Sequence, residues 1–515
     1  MLPATIYQFR KQRGVNLGCW FVLERWITSH PFRNAVDPAH SDLDIAKGSN
    51  ARAVLEEHYD SWITEADWAW IVDHGFNTVR IPIGFYHLCA IDPSVLVDTD
   101  FANLDHVYSG AWSRILQAIE TAHRFDLGVL LDLHAAPGKQ NPDAHSGTCN
   151  PATFFSDHRK QQKTLNVIRT LALQVKGLPN VVGIELLNEP HPTSDDGLKK
   201  WYTEAFAVLA DVGSELPVYI SDCWKPEVYA EFIKSTEKKP SLLVLDHHLY
   251  RCFAANDTRT SVAVHTKALS EDKTIARIAE ALDQVGAGLV IGEWSGALNP
   301  ASLTGSPNER KEYIASQLAL YTARCGGNYF WTYKKAGDQP DYGWSLRDAI
   351  DGDHFPSRMG TLLVKSFAGD QTRWKQARDR FRDAAYGIGI RDPTHLIYNF
   401  FFTAAHVAYW SRYPGNYHHA RFSEGFLLGW DNAYAFLTFN NSTDKAISEL
   451  GFVGGLAHTK TSDYGDGFWE FRRYFAIDAV HSSCHLEGHG FGQGVAAANK
   501  DFCDHYCRPL HRVGW

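Results

Sequence analysis

No uninterrupted apolar run in this chain reaches the length a helix needs to span a bilayer, so no integral membrane segment is expected. The first residues, MLPATIYQFRKQRGVNLG, lack the apolar core and small-residue cleavage site of a secretory leader, and a cytoplasmic protein is the expectation. Cysteine is present in an odd number, nine, scattered without a spacing pattern, which fits free thiols and not a disulfide scaffold. Positive charge is not in excess. Fifty Lys and Arg against 59 Asp and Glu leave a net charge of −9, which gives no footing for nucleic acid or an anionic membrane. What is present is a globular composition, 44% hydrophobic and 21% charged, in 515 residues. That length exceeds one ordinary domain and suits a barrel with an appendage.

From about residue 14 to about 333, short apolar runs alternate with longer amphipathic stretches. The runs are 14–18, 77–83, 127–134, 181–188, 217–222, 242–250, 288–294 and 327–333. Runs dominated by β-branched and aliphatic residues read as parallel strands buried on both faces. The stretches between them carry a helical period, as in Trp112, Ile115, Leu116 and Ile119. Eight such strands with helix-sized connections predict an α/β protein of the TIM, or (β/α)₈ barrel, class.

Polar residues gather where these runs end: Arg80, His134, Asn188 with Glu189, His248 with Tyr250, Glu293 and Trp331. Barrel active sites lie at that end of the strands. Glu189 closes LLNEP and Glu293 lies in VIGEW, and a carboxylate where a buried strand surfaces is costly unless chemistry or a partner compensates. Two of them on separate strands suggest the acid/base and the nucleophile of a retaining glycoside hydrolase, whose carboxyl groups stand roughly 5–5.5 Å apart. In that reading Glu189 protonates the leaving oxygen and later activates water, while Glu293 attacks the anomeric carbon. Arg80 holds the nucleophile ionised, Asn188 reaches the sugar 2-hydroxyl, Tyr250 donates to Glu293, and Trp331 lies under the sugar ring. Trp344, beyond the eighth strand, is either an outer sugar platform or a loop anchor. The bland alternative for each acid alone is a buried structural ion pair.

Six segments in order, RGVNLGCWFVLERWIT, DLHAAPGKQN, LLNEP, DHHLY, GEW and FWTYK, resemble glycoside hydrolase family 5 in its fungal exo-1,3-β-glucanase-like branch. The resemblance covers most of residues 13–350. It implies a retaining mechanism on a β-glucoside or β-glucan oligosaccharide, with no metal and no organic cofactor. It supports Arg80, His134, Asn188, Glu189, His248, Tyr250, Glu293 and Trp331, and adds Glu24 as a partner of the sugar hydroxyls. The chain departs from that branch after the QN of the third loop. Where the branch has an aromatic followed by Asp-Asn, this chain has Pro142, Asp143, Ala144 and His145, while Phe253 keeps the other half of an aromatic clamp. A β-glucosidase acting on a small glucoside or a glycolipid headgroup is the alternative substrate reading. A non-catalytic carbohydrate-binding or scaffold protein is the alternative class.

Residues 1–389 are expected to form the catalytic barrel, and 390–515 a mostly helical extension packed on it. In the extension a GFxxG pattern recurs at Gly425, Gly451 and Gly490, and two copies extend to GFxxGxxxA, ending at Ala433 and Ala498. Small residues four apart make a flat helix face, so close helix packing is expected there. Cys484, His485, Cys503, His505 and Cys507 lack the paired-cysteine knuckle of structural zinc and read as packed side chains. The run WEFRRYF (469–475) reads as an amphipathic helix with solvated charges.

Overall fold

The computed structural model describes residues 1–367, 369–386, 419–440, 444–461 and 483–507. The expected boundary at 389/390 and the WEFRRYF run lie outside these residues. By packing the chain divides after Met359. One unit comprises Pro3–Gln8 and Gln12–Met359, and the other takes Phe9–Lys11 with the described residues from Gly360 onward.

The first unit is a closed barrel of eight parallel strands in sequence order. They are β1 (Gln12–Asn16), β2 (Thr78–Gly84), β3 (Gly128–Ala135), β4 (Val181–Glu185), β5 (Val218–Ser221), β6 (Leu243–Leu249), β7 (Gly288–Trp294) and β8 (Gly327–Phe330). Closure comes from β1 against β8, with Gln12 beside Gly327 and Val15 beside Phe330. Each of the eight apolar runs became a strand. Nearly every strand residue is buried, which is why the runs are continuous rather than alternating. Helices cover the outside with one apolar face each. In Ala111–Arg124, Trp112, Ile115, Ala118 and Ile119 are buried, and Leu116 packs partly against the same core.

The barrel interior is filled, not hollow. Toward its lower end Gln12 Nε2 donates to the Tyr219 hydroxyl at 2.7 Å, and the Tyr329 hydroxyl donates to Gln12 Oε1 at 2.7 Å. Two glycines make room for those rings. A Cβ on Gly14 would lie 2.1 Å from the Tyr329 ring, and one on Gly183 2.5 Å from the Tyr219 ring. With the bottom plugged, the strand ends at the top are left to line a pocket.

In the second unit the described residues are mostly helical, in Gln371–Tyr386, His419–Leu437, Val453–Thr461 and Ser483–Tyr506. Helices His419–Leu437 and Ser483–Tyr506 pack backbone against backbone. A Cβ on Gly429 would stand 2.1 Å from the Phe491 carbonyl oxygen, and one on Gly494 2.1 Å from that of Phe426. The two GFxxGxxxA copies therefore face each other reciprocally, with Ala433 and Ala498 fully buried. The third copy differs from the expectation of helix packing. Gly451 precedes helix Val453–Thr461, and its open side meets the backbone of Lys11 in a short antiparallel pairing of Arg10 with Leu450. Cys503 lies in the last helix and Cys507 just after it, with the Cys507 N–H bonded to the Cys503 carbonyl, so the two share a face. Among the described residues, no helix is long and apolar enough to cross a membrane.

Candidate active site

Glu189 and Glu293 meet at the top of the barrel. Glu293 comes from within β7, and Glu189 follows β4 by four residues, on a turn with φ of 41°. A non-glycine residue in the left-handed region costs about 1–3 kcal/mol, and surroundings that over-determine it cluster at active sites. One oxygen of each carboxylate and a nitrogen of His248 all lie within 4.8 Å of one another.

The two carboxyl groups have different donors. Glu293 accepts from Arg80 Nη1 at 2.9 Å on Oε1 and from the Tyr250 hydroxyl at 2.7 Å on Oε2. Glu189 accepts on Oε1 from His248 Nδ1 at 2.7 Å, and that nitrogen is 3.5 Å from Glu293 Oε2. Burial alone would raise Glu189, but the His248 hydrogen bond and charge outweigh it and hold the carboxyl down, to about 2. Glu293 is raised above its ordinary 4.5, first by burial and then by the Glu189 charge, while His248, Arg80 and Tyr250 pull the other way. His248 in turn is held cationic by Glu293, Asp246 and Glu189 in spite of burial. The three groups therefore titrate as a unit. A proton on Oε2 makes Glu189 an acid while Oε1 keeps its 2.7 Å bond from His248 Nδ1. Once Glu293 has lost its own proton, its two donors favour the charged form.

Arg80 organises the floor. Fully buried, it donates Nε to Glu185 at 2.7 Å and Nη2 to Asn188 at 2.8 Å, and lies 3.1 Å from Asp132. Asn188 thus has its oxygen fixed, and its amide nitrogen is 3.5 Å from His134 Nε2. His134 is held from below by Asp132 at 2.6 Å, and its ring lies parallel to Trp331 at 5.9 Å. Burial keeps His134 neutral and pushes Asp132 up to about 7.

Glu24 completes the wall. Burial pushes it up to about 7, opposed by a 2.7 Å hydrogen bond from Trp26 Nε1. At the rim Tyr250, Phe253 and Trp344 pack with ring centroids 5.5–6.0 Å apart, and Trp26 meets Trp344 at 5.3 Å. All eleven residues singled out in the sequence are therefore joined in one cluster of contacts at this end of the barrel.

Sequence reasoning passed over Asn16, Trp26, Asp132, Glu185 and Asp246. Asn16 donates to the Gly292 carbonyl at 2.9 Å and accepts from Arg80 at 3.1 Å. The acids carried a readable signal. Each interrupts an apolar run, and Asp132 and Asp246 stand two residues before His134 and His248, on the same side of a strand. His247, on the opposite side, bonds Asp222 at 2.6 Å.

Among the described residues, two donor sets have metal-like spacing, Glu185–Asp246–His248 and Glu189–His248–Glu293. Both contain a carboxylate paired to the buried Arg80, so a divalent cation there would sit against fixed positive charge. The donor chemistry fits an arginine-neutralised acid cluster.

Comparison with known proteins matches residues 44–337 to the cellulase family, glycosyl hydrolase family 5. The chain belongs to glycosyl hydrolase family 5. It is a glycoside hydrolase, and its residues 401–503 match the glucan 1,3-beta-glucosidase 3 C-terminal domain. Glucan 1,3-beta-glucosidase 3 of Schizosaccharomyces pombe is 28% identical over 507 residues, covering 94% of this chain and 97% of that protein. An uncharacterized glycosyl hydrolase of Saccharomyces cerevisiae is 30% identical over 471 residues, covering 85% of this chain and 84% of its own length. A probable glucan 1,3-beta-glucosidase A of Aspergillus fumigatus is 30% identical over 390 residues, covering 67% and 88%. Among solved structures, rutinosidase from Aspergillus niger superposes with a TM-score of 0.55 at 22% identity, covering 68% of this chain and 98% of that one, and so shares the barrel fold.

Proposed function

We propose that this family 5 hydrolase removes terminal β-linked glucose by double displacement, with Glu189 as acid/base and Glu293 as nucleophile. The observation that carries this reading is the approach of the two carboxyl groups to within 4.8 Å, the short spacing of retaining enzymes and not the roughly 6.5–9.5 Å of inverting ones. Glu293, with Arg80 and Tyr250 donating to it, attacks the anomeric carbon. Glu189 gives its proton to the departing oxygen and then takes one from the water that cleaves the glycosyl ester. Asn188, His134 and Glu24 bond sugar hydroxyls, and Trp331 lies beneath the ring.

The relatives named glucan 1,3-beta-glucosidase favour a β-1,3-linked gluco-oligosaccharide as substrate. A second reading, a small glucoside or a glycolipid headgroup, draws support from the rim, where Phe253 is 70% and Trp26 44% exposed, an apolar wall for an aglycone. The deciding experiment is hydrolysis of an aryl β-glucoside, a 1,3-linked oligoglucan and a glucosyl lipid by wild type and Glu293→Gln. Turnover should fall by at least about 10³-fold in the variant with its melting temperature retained. Undiminished activity in the variant would refute the assignment. Sugar binding without turnover by wild type would favour a non-catalytic role, and the preferred panel member chooses between the substrate readings.

A further inference from the structure

The carboxylate of Glu189 has two unlike sides. Oε1 is taken by His248 from below. Nε2 of His145, on the short turn Ala144–Ser146 after β3, stands 3.8 Å from Oε2. The two side chains are 17% and 14% exposed, open enough to meet a ligand and closed enough for a hydrogen bond to count. This turn is where the chain carries Pro142, Asp143, Ala144 and His145 in place of an aromatic and Asp-Asn.

The turn is tied to the end of β4. Asn141 Nδ2 donates to the carbonyl of Glu189 itself at 3.1 Å, and Gln140 Nε2 donates to that of Asn188 at 3.0 Å. The Ser146 hydroxyl closes the turn on the Asp143 carbonyl at 2.6 Å. His145 is therefore held in register with Glu189 by side-chain amides bonded to the main chain at the end of β4, not by chance approach of two loops. Its ring leans on His134, with centroids 5.0 Å apart.

The tautomer follows from the other nitrogen. Nδ1 of His145 is buried and has no hydrogen-bond partner among the described residues. A bare acceptor is cheaper to leave unpaired in such a place than an N–H donor, so the proton belongs on Nε2. Asp143 Oδ2 also lies 3.8 Å from Nε2, but its side chain is 64% exposed and its pull is weakened by water.

A donor and a carboxyl oxygen 3.8 Å apart are too far to bond each other. They are well spaced to hold one oxygen atom between them, at about 2.8 Å from each. The geometry points to His145 as a second hydrogen-bond donor to the reacting oxygen, one that supports departure of poor leaving groups. This rests on the assignment of Glu189 as acid/base. In the first displacement Glu293 bonds to the anomeric carbon, the bond to the leaving oxygen breaks, and its electron pair stays on that oxygen. The oxygen takes the proton of Glu189 Oε2 while the Nε2–H of His145 bonds to its growing charge. In the second, water occupies the same seat. Glu189 removes its proton as the oxygen bonds to carbon, and the glycosyl ester electrons return to Glu293. His145 keeps its proton throughout.

Removing one preorganised donor to a developing oxyanion costs as much as about 10²–10³-fold, and less where a proton is also transferred. The test compares kcat/KM for a dinitrophenyl β-glucoside, whose departure needs no help, with that for phenyl and alkyl β-glucosides. In His145→Gln and His145→Ala, the phenyl and alkyl substrates should lose about 10-fold or more while the dinitrophenyl substrate stays within about two-fold. Melting temperature is followed in parallel, and the near-isosteric Gln variant decides the matter should Ala unfold. Equal losses on all substrates would mean His145 only packs, and no loss on any would remove it from the reaction; either result overturns the inference. Glu189→Gln serves as the control. If it shows no such dependence on the leaving group, the acid/base assignment itself falls.

Discussion

Arg80 is the residue on which the site's charges converge. It lies 2.7–3.1 Å from Asp132, Glu185 and Glu293 with no exposed surface of its own. Removing one partner from such a buried set leaves uncompensated charge, so Arg80→Leu should lower unfolding free energy by about 3–5 kcal/mol, read by denaturant titration. A loss near zero would mean the cluster is already protonated and neutral without its cation. The pH dependence follows from Glu293. Its folded pKa is raised above 4.5 by burial and by Glu189, and the nucleophile must be ionised to act. Activity is therefore lost as pH falls through a value above 4.5, and the acidic limb of kcat/KM in the free enzyme should lie there. Tyr250→Phe removes a donor to the charged form and should move that limb further up. A limb below 4.5 in wild type would contradict the direction argued here.

Among elements, the helix pair His419–Leu437 and Ser483–Tyr506 depends on two hydrogens. Gly429 and Gly494 each lie 2.1 Å, measured from an added Cβ, from a backbone carbonyl oxygen of the facing helix. A carbonyl in a helix cannot swing aside as a side chain would. Gly429→Ala or Gly494→Ala should then force the helices apart and destabilise this unit by about 1–3 kcal/mol, seen as an earlier melting step. The barrel's hydrolysis of a small aryl glucoside need not change with it. The strands show a related device. A Cβ on Gly292 would fall 2.0 Å from Asp246 Oδ1, so the residue before Glu293 is small because a buried carboxylate rests on it.

For the whole molecule, every one of the eleven site residues precedes Met359, where packing divides the chain. A chain ending at Met359 is expected to hydrolyse an aryl β-glucoside with kcat/KM within about ten-fold of the full protein. Aggregation or loss of turnover would show that the second unit is needed for the first to fold. The Phe9–Lys11 segment belongs by packing to the second unit, where Arg10 pairs with Leu450, but Pro3–Gln8 belongs to the barrel unit, so the shortened chain keeps its first residues. The match of residues 401–503 to a domain named for glucan 1,3-beta-glucosidase 3 gives that unit a place in the same proteins and leaves its role to this experiment.

By itself the sequence determined the barrel and the rim of its site. Strand identity was legible because strands covered on both faces must be apolar throughout, and the site was legible because polar residues at their ends are costly anywhere else. Even the helix pair was foreshadowed, since glycine and alanine at four-residue spacing leave one flat face. Tertiary structure alone decided the rest. That Asp132 and Asp246 lie beneath histidines was written as a period of two inside each run, but Arg80 joins acids from three strands, and no local pattern encodes partners some 50 to 213 residues away. Trp26 reads as one more aromatic until the closed barrel sets its ring 5.3 Å from that of Trp344. His145 reads as a departure from a family pattern until the stitching of its turn to Glu189 sets it 3.8 Å from the free carboxyl oxygen. A strand's character is a property of consecutive residues, whereas a charge network or a donor pair depends on distances that exist only once the barrel has closed.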